Sequence, residues 1–201
     1  VRVEACQVGE YSEVRRLAAA TCLWSADNAG VWHAAGVLAD RLLVRQTSES
    51  WHKVYAPKVI GAWALQFALT QTRLGVYCMF SSAASLLGDA GQANYCAANC
   101  CLDTLSCGRV AQGLTGTTVQ WGPWSGEGMA NSEVVRARAK AIGIGMIQYP
   151  EGLAALQHAL QLSMPTCSLL VAIWSRFIPR VHGSLALLSN FRPREPAVVS
   201  E

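Results

Sequence analysis

The sequence predicts an α/β fold, a Rossmann-like doubly wound and mostly parallel sheet, and three observations carry that prediction. Short β-rich runs alternate with helical patterns along the 201 residues, as in a series of parallel βαβ units. The runs are apolar almost throughout, as strands covered on both faces are. The length suits one domain with a single core and leaves a second cramped.

The elements follow in order. Residues 1–8 (VRVEACQV) read as a strand, and a helix is expected from near Tyr11 to Ala20. GVWHAAG (30–36) reads as the next strand, followed by a helix over Ser48 to Thr72. GVYCMFSS (75–82) is a strand that ends in two serines. The residues after it, AASLLGDAGQA, read as a loop leading to a helix from about Asn94 to Gln112. TGTTVQWG (115–122) and CSLLVAI (167–173) are the last strands. Between them SEVVRARAKAIG (132–143) reads as an amphipathic helix with Ser132 or Asn131 as cap and Gly143 as stop. FRPREPAVVSE (191–201), with two prolines and no periodicity, reads as a linker or extended arm.

Composition narrows the function classes. Charged residues make up 14% of the chain and apolar ones 52%, against roughly 25% charged in an ordinary soluble domain. That balance predicts a chain covered by partners or belonging to something larger. No apolar stretch reaches the roughly 18 residues of a membrane span. The net charge of +3 is spread out apart from Arg136, Arg138 and Lys140, so nucleic acid is not an expected partner. Eight cysteines without CxxC pairs read as reduced thiols packed as small hydrophobes, hence an intracellular compartment, cytoplasmic or organellar. Without His or acidic partners at ligand spacing they predict no metal site. The opening VRVEACQV has neither Met nor a basic-then-apolar leader, which predicts a processed protein or a start within a domain.

The chemistry concentrates in residues 81–103. Ligands of a doubly wound sheet lie beyond the carboxyl ends of its strands, which is where Ser81 and Ser82 stand. Tyr95 and Asn99, four residues apart, share one face of the helix that returns to that edge. The stretch reads either as a catalytic segment or as a packed, cysteine-rich helix in which tyrosine and asparagine are structural. A phenol of pKa about 10 handles protons poorly at neutral pH unless a cation favours the phenolate. Lys58, on the preceding helix, is placed to supply one. Serine to hold a carbonyl oxygen, tyrosine to protonate it and lysine to tune the tyrosine make a carbonyl-reducing set.

Five blocks, VWHAAGVLADRLL, YAPKVIGAWAL, MFSSAASLLGDAGQANYCAANCCLD, VQWGPWSGEGMA and YPEGLAAL with VAIWSRF, together resemble the ketoreductase domain of modular polyketide synthases, a branch of the short-chain dehydrogenases. The resemblance runs from residue 1 to about residue 178 and implies a ketoreductase-like portion over 1–178, with 179–201 as an extension. In that branch asparagine stands four residues after the tyrosine, and the lysine comes from the preceding helix. The resemblance therefore implies Lys58, Ser82, Tyr95 and Asn99 as a catalytic tetrad. It implies Gln7, His33, Ala34, Ala35 and Gly36 beside the cofactor, and Asp40, Leu87, Trp121, Gly128 and Met129 at the substrate and lid. The implied reaction is NADPH-dependent reduction of a β-ketoacyl thioester on an acyl carrier protein. Leu38 to Asp40 (LAD) and Leu87 resemble the pattern of enzymes giving the D-configured β-hydroxyacyl product.

The departures from the family pattern are equally specific. The glycine-rich turn that holds a dinucleotide pyrophosphate is missing, and GIGMIQ and GEGMAN do not replace it. Gln7 stands where an acidic adenine contact is usual. The resemblance begins at the family's third strand, so the first two strands are lacking. Strands three and four would then lie ~14 Å apart at ~4.8 Å per strand. An upstream segment, another chain or a changed pairing is expected to close that gap, and the chain alone is expected not to hold NADPH. The alternative function is a truncated relic serving as a non-catalytic structural subunit of a larger assembly.

Overall fold

Four strands form one parallel sheet whose spatial order is the order of the sequence: β1 (Ala29–His33), β2 (Leu74–Ser82), β3 (Thr117–Trp121) and β4 (Thr166–Leu169). The computed structural model describes residues 3–21, 29–126, 133–180 and 186–191. Parallel neighbours need a crossover, and helices supply it. α1 (Tyr11–Ala20) precedes β1, and α2 (Ser48–Tyr55), a π-helical turn (Ala56–Ile60) and α3 (Gly61–Ala68) lead to β2. α4 (Ala83–Leu87) and α5 (Ala93–Ala111) lead from β2 to β3, and α6 (Glu133–Ile142) and α7 (Tyr149–Leu162) from β3 to β4. A short α8 (Trp174–Phe177) follows.

The helices form where caps and composition favour them. α2 opens on a capping box: Thr47 accepts from Ser50 N, and Ser50 Oγ accepts from Thr47 N, satisfying two otherwise orphaned donors. α6 stops at Gly143, whose φ of 86° suits glycine better than any other residue. β3 is buried along its whole length, as a strand between two parallel neighbours should be. The main core joins Val31, Leu74, Tyr77 and Met79 of the sheet to Ala18 of α1, Ala62 and Leu69 at α3, and Leu102 and Leu105 of α5. Each large apolar side chain sealed there contributes roughly 1.5–3 kcal/mol.

The chain divides into two units. The sheet unit comprises Val1–Gly122 and Pro150–Leu169; the other comprises Pro123–Tyr149 and Leu170–Glu201. In the second, Trp124 bridges Ile147, Ile144 bridges Ala172, and Trp174 stacks on Phe191 at 4.3 Å between ring centroids.

Several expectations are corrected. Residues 3–8 are not a strand: Gln7 O accepts from Glu10 N at 2.8 Å, Arg16 Nη2 donates to Ala5 O at 2.6 Å, and Val3 is exposed. A strand exists only by pairing, and among the described residues no strand lies beside this segment. Among the described residues the expected gap is instead an open edge on β1, whose other edge pairs with β2. The helix over 48–72 is broken by the π-helical turn and ends at Ala68. The loop after Ser82 begins with a helical turn, α4. The last strand stops at Leu169, where the chain leaves the sheet unit. The caps expected at Asn131 and Ser132 lie outside the described residues, as does the arm beyond Phe191.

Two glycines of the sheet unit make a paired test. A Cβ at Gly9 would lie 3.0 Å from Ala56 O and 3.2 Å from Ala56 C, backbone atoms that cannot turn aside, so Gly9→Ala should destabilise by about 1–3 kcal/mol. A Cβ at Gly108, inside α5, would meet nothing within 4 Å, so Gly108→Ala should stabilise by about 0.5–1 kcal/mol. Denaturant melts of both variants check this. Equal effects of the same sign would contradict the packing described.

Candidate active site

β2 delivers two serines to its carboxyl end, and strand alternation sends them opposite ways. Ser81, almost fully buried, turns toward α5 and donates to Asn99 O at 3.4 Å. Ser82, extended at φ −143° and ψ 145°, caps α4 and accepts from Ala84 N at 3.2 Å. Opposite Ser82 in the ladder stands Trp121, whose ring meets that of Phe80 at 5.5 Å.

Tyr95 sits in the first turn of α5, 8% exposed, and a residue that sequence reasoning missed fixes it there. Asn94 is fully buried; its Nδ2 donates to Ala39 O at 3.0 Å and Ser50 O at 3.1 Å, while its Oδ1 accepts from Tyr95 N at 2.8 Å. One amide thus ties the loop after β1 and helix α2 to the start of α5. A turn later Asn99, also fully buried, donates through Nδ2 to Tyr95 O at 2.8 Å. Asn99 Oδ1 is buried with no partner among the described residues. An orphan of this kind costs about 1–3 kcal/mol and marks a place where a bound group can be held.

Lys58 is brought to the same spot by the π-helical turn. Pro57 explains the turn: in a regular α-helix its ring would strike the carbonyl four residues back and its missing N–H would break the ladder. The widened turn carries Lys58 inward to 2% exposure. Its Nζ donates to Phe80 O at 3.0 Å and lies 5.2 Å from the centroid of the Tyr95 ring. Gly36 makes room, since a Cβ there would come within 2.9 Å of Lys58 Cε. His33, 3% exposed, donates from Nε2 to Lys58 O at 2.9 Å, because a carbonyl can only accept.

Burial governs the electrostatics. It pulls the Lys58 ammonium down to about 8, with the charge of Asp103 pulling the other way. It lowers the His33 imidazole, with the hydrogen bond to Lys58 O pulling the other way and the Lys58 charge adding to the drop. It raises the Tyr95 phenol, which polar atoms of Asn99 and Ser82 pull back down. The Lys58 ammonium lies against the ring and bonds to Phe80 O. Burial keeps the Tyr95 proton in place through the neutral range, as a proton donor requires.

The structure brings Lys58, Ser82, Tyr95 and Asn99 together, with His33 and Gly36 behind Lys58. Ala34 and Ala35 continue from the end of β1. Asp40 is exposed, its carboxylate accepting from Gln92 Nε2 at 3.0 Å. Leu87 closes α4, half-buried. Gln7 is exposed in the irregular segment before α1. Gly128 and Met129 lie outside the described residues. Among the described residues no three His, Cys, Asp or Glu side chains are grouped to hold a metal ion, and no helix is long and apolar enough to cross a membrane.

Comparison with known proteins follows the same lines. Residues 1–126 of the 201 match the KR domain family. A phenolphthiocerol/phthiocerol polyketide synthase of Mycobacterium tuberculosis is 38% identical over 159 residues, which cover 78% of this chain and 7% of that one. A 6-methylsalicylic acid synthase of Penicillium patulum is 38% identical over 136 residues, 67% of this chain and 8% of its own. The chain therefore spans under a tenth of these relatives' length. A solved structure, the first ketoreductase of the tylosin polyketide synthase, superposes with a TM-score of 0.79 at 32% identity over 95% of this chain and 40% of that one. The parallel sheet, the serine strand and the family match agree, and the chain belongs to the KR domain family, the ketoreductase domains of polyketide synthases.

Proposed function

We propose that this chain is the catalytic portion of a ketoreductase that reduces a β-ketoacyl thioester, carried on an acyl carrier protein, to the β-hydroxyacyl thioester. The observation that carries the reading is the meeting of Ser82, Tyr95, Lys58 and Asn99 at the carboxyl end of β2. NADPH, when bound, supplies a hydride to the carbonyl carbon. Ser82, whose oxygen already accepts from Ala84 N, keeps its own proton to hold the carbonyl oxygen. Tyr95 gives that oxygen a proton. The negative charge left on the phenol develops beside the Lys58 ammonium, which is already in place and needs no reorganisation. Asn99 Oδ1 accepts from a bound group and orders the site. Asp40 and Leu87 flank the substrate and favour the D-configured alcohol, with Trp121 covering it.

The small residues Ala34, Ala35 and Gly36 fit a nicotinamide at the end of β1, with His33 bracing Lys58 behind it. No glycine-rich turn in the sequence fits the pyrophosphate, and Gln7 offers a neutral amide where an acidic adenine contact is usual. The open edge of β1 supports further strands there, supplied by another stretch of the same protein or by another chain, and carrying that turn. The relic reading rests on the same missing turn and on Gln7; activity of a completed domain decides between them.

Tyr95→Phe keeps the ring and removes the hydroxyl. In this chain joined to a dinucleotide-binding half, reduction of a β-ketoacyl thioester should fall ~100-fold to 10,000-fold, while the melting temperature stays within about a few degrees. Activity within a factor of three of the parent removes Tyr95 from the proton-donor role. An inactive parent favours the relic.

Lys58→Met tests the buried charge without any assay of turnover. Below about pH 8 Lys58 is protonated in both folded and unfolded states, so the folded chain bears the whole burial penalty. As pH rises from there toward the ordinary lysine value, the unfolded state binds more protons, so the parent's stability rises with pH. The stability of Lys58→Met minus that of the parent should therefore drop by about 3 kcal/mol between pH 7 and pH 10.5. Titrations common to both proteins cancel in the difference. A difference independent of pH would show that Lys58 titrates normally.

A further inference from the structure

Beneath the tetrad lies a polar cluster to which the proposed reaction assigns no part. Asp103 Oδ2 accepts from Ser85 Oγ and from Gln120 Nε2, each at 2.8 Å. Gln120 Nε2 also reaches Ser85 Oγ at 3.0 Å, and Gln120 Oε1 accepts from Ser168 Oγ. Ser85 Oγ lies 2.8 Å from Ser82 O as well, and Ser81 Oγ is 3.5 Å from Ser85 Oγ. Asp103 Oδ1 is buried without a partner among the described residues. A buried carboxylate held among serines and a glutamine from four other elements is costly unless something in the fold requires it.

Ser85 has one proton and two acceptors in reach. The carboxylate is the stronger acceptor, so the proton goes to Asp103, and the oxygen accepts from Gln120. That choice fastens α4 to α5 across 18 residues of sequence. Ser82 is the cap of α4, and Tyr95 lies on α5 two turns before Asp103. The Ser85 to Asp103 bond therefore sets the spacing between the helix that Ser82 caps and the helix that carries Tyr95.

We propose that Asp103 is a positioning residue, which holds the Ser82 turn against the Tyr95 helix through Ser85 and places a negative charge in the neighbourhood of Lys58. The inference rests on the ketoreductase reading for its effect on turnover but not for its effect on Lys58. His33 bonds to Lys58 O, and Tyr95 presents its ring 5.2 Å from Lys58 Nζ. The elements packed against the Lys58 turn carry the other titratable groups: Glu49, His52, Lys53 and Tyr55 on α2, and Cys96, Cys100, Cys101, Asp103, Cys107 and Arg109 on α5, while α3 carries none. β2, whose Phe80 carbonyl Lys58 meets, carries Tyr77 and Cys78, and Asp40 lies in the loop after β1. Asp103 is the charge among them that favours the ammonium, opposing its burial.

Asp103→Asn keeps the shape and removes the charge. In the completed domain kcat should fall by about 10-fold with KM within about a factor of two, since proton donor and carbonyl are misaligned rather than unbound. The basic limb of the pH–rate profile should move to lower pH by about half a unit. The chain without cofactor provides an independent arm, in which the Lys58 midpoint, read by NMR, should fall by the same amount. Ser85→Ala, which cuts the bond and leaves the charge, should lower kcat without moving either midpoint. An unmoved Lys58 midpoint, or an unchanged kcat in an active domain, overturns the proposal. A parent that reduces no substrate instead overturns the ketoreductase reading, and the NMR arm still decides the coupling to Asp103. If Asp103→Asn does not fold, the Ser85→Ala kcat decides, and parental kcat there overturns the proposal.

Discussion

The rest of the site depends on one interaction, the burial of the Lys58 ammonium between the Phe80 carbonyl and the face of the Tyr95 ring. An ammonium taken out of water costs several kcal/mol unless its donors are met, and one carbonyl plus a ring at 5.2 Å meets them only in part. The remainder appears as a pKa drawn down to about 8. Three local features exist to permit the arrangement. Pro57 forces the helix to widen, Gly36 leaves space for the lysine stem, and His33 fastens the carbonyl of the widened turn. None would be needed by a lysine in solvent.

The sheet converts that local arrangement into a site. Because β2 runs parallel between β1 and β3, its carboxyl end opens on the same edge as theirs, and the crossover helices return there. Tyr77 anchors the lysine side by donating to Ala62 O at 2.9 Å, and its other face carries the Arg109 guanidinium at 3.9 Å. Asn94 anchors the tyrosine side. The reacting groups thus sit on short, firmly held ends of long elements, which suits chemistry that depends on placement to within a fraction of an ångström.

How much of this could be read from the sequence differs by element. β2, β3, α1 and α5 were legible because an apolar run or a periodic stretch bounded by turn residues fixes each locally. Residues 1–8 have the same apolar character, yet their strand depended on a neighbour, which the residues themselves cannot report. Pro57 lies inside a pattern read as one helix from Ser48 to Thr72, and its neighbours in sequence do not report that the turn widens there and swings Lys58 inward. For the site, the spacing of Ser82, Tyr95 and Asn99 and the phenol's need for a nearby cation, Lys58, were informative on their own, and the family resemblance joined the four as a tetrad. Asn94, Ser85 and Asp103 escaped notice because the partners that give them their roles lie 17 to 55 residues away. The one local hint was Gln120, a long amide in a strand, TTVQW, that is buried throughout.

The central claim is that the fold holds Lys58 as a desolvated ammonium over the Tyr95 ring. The most direct measurement is an NMR titration of the Lys58 side chain in the folded protein, following its ε-carbon or ζ-nitrogen shift with pH. The account predicts a midpoint near 8, with ring-current shifts on the ε-methylene protons that vanish in Tyr95→Leu. A midpoint near the ordinary lysine value of about 10.4, without ring-current shifts, would mean that Lys58 is solvated and would contradict the account.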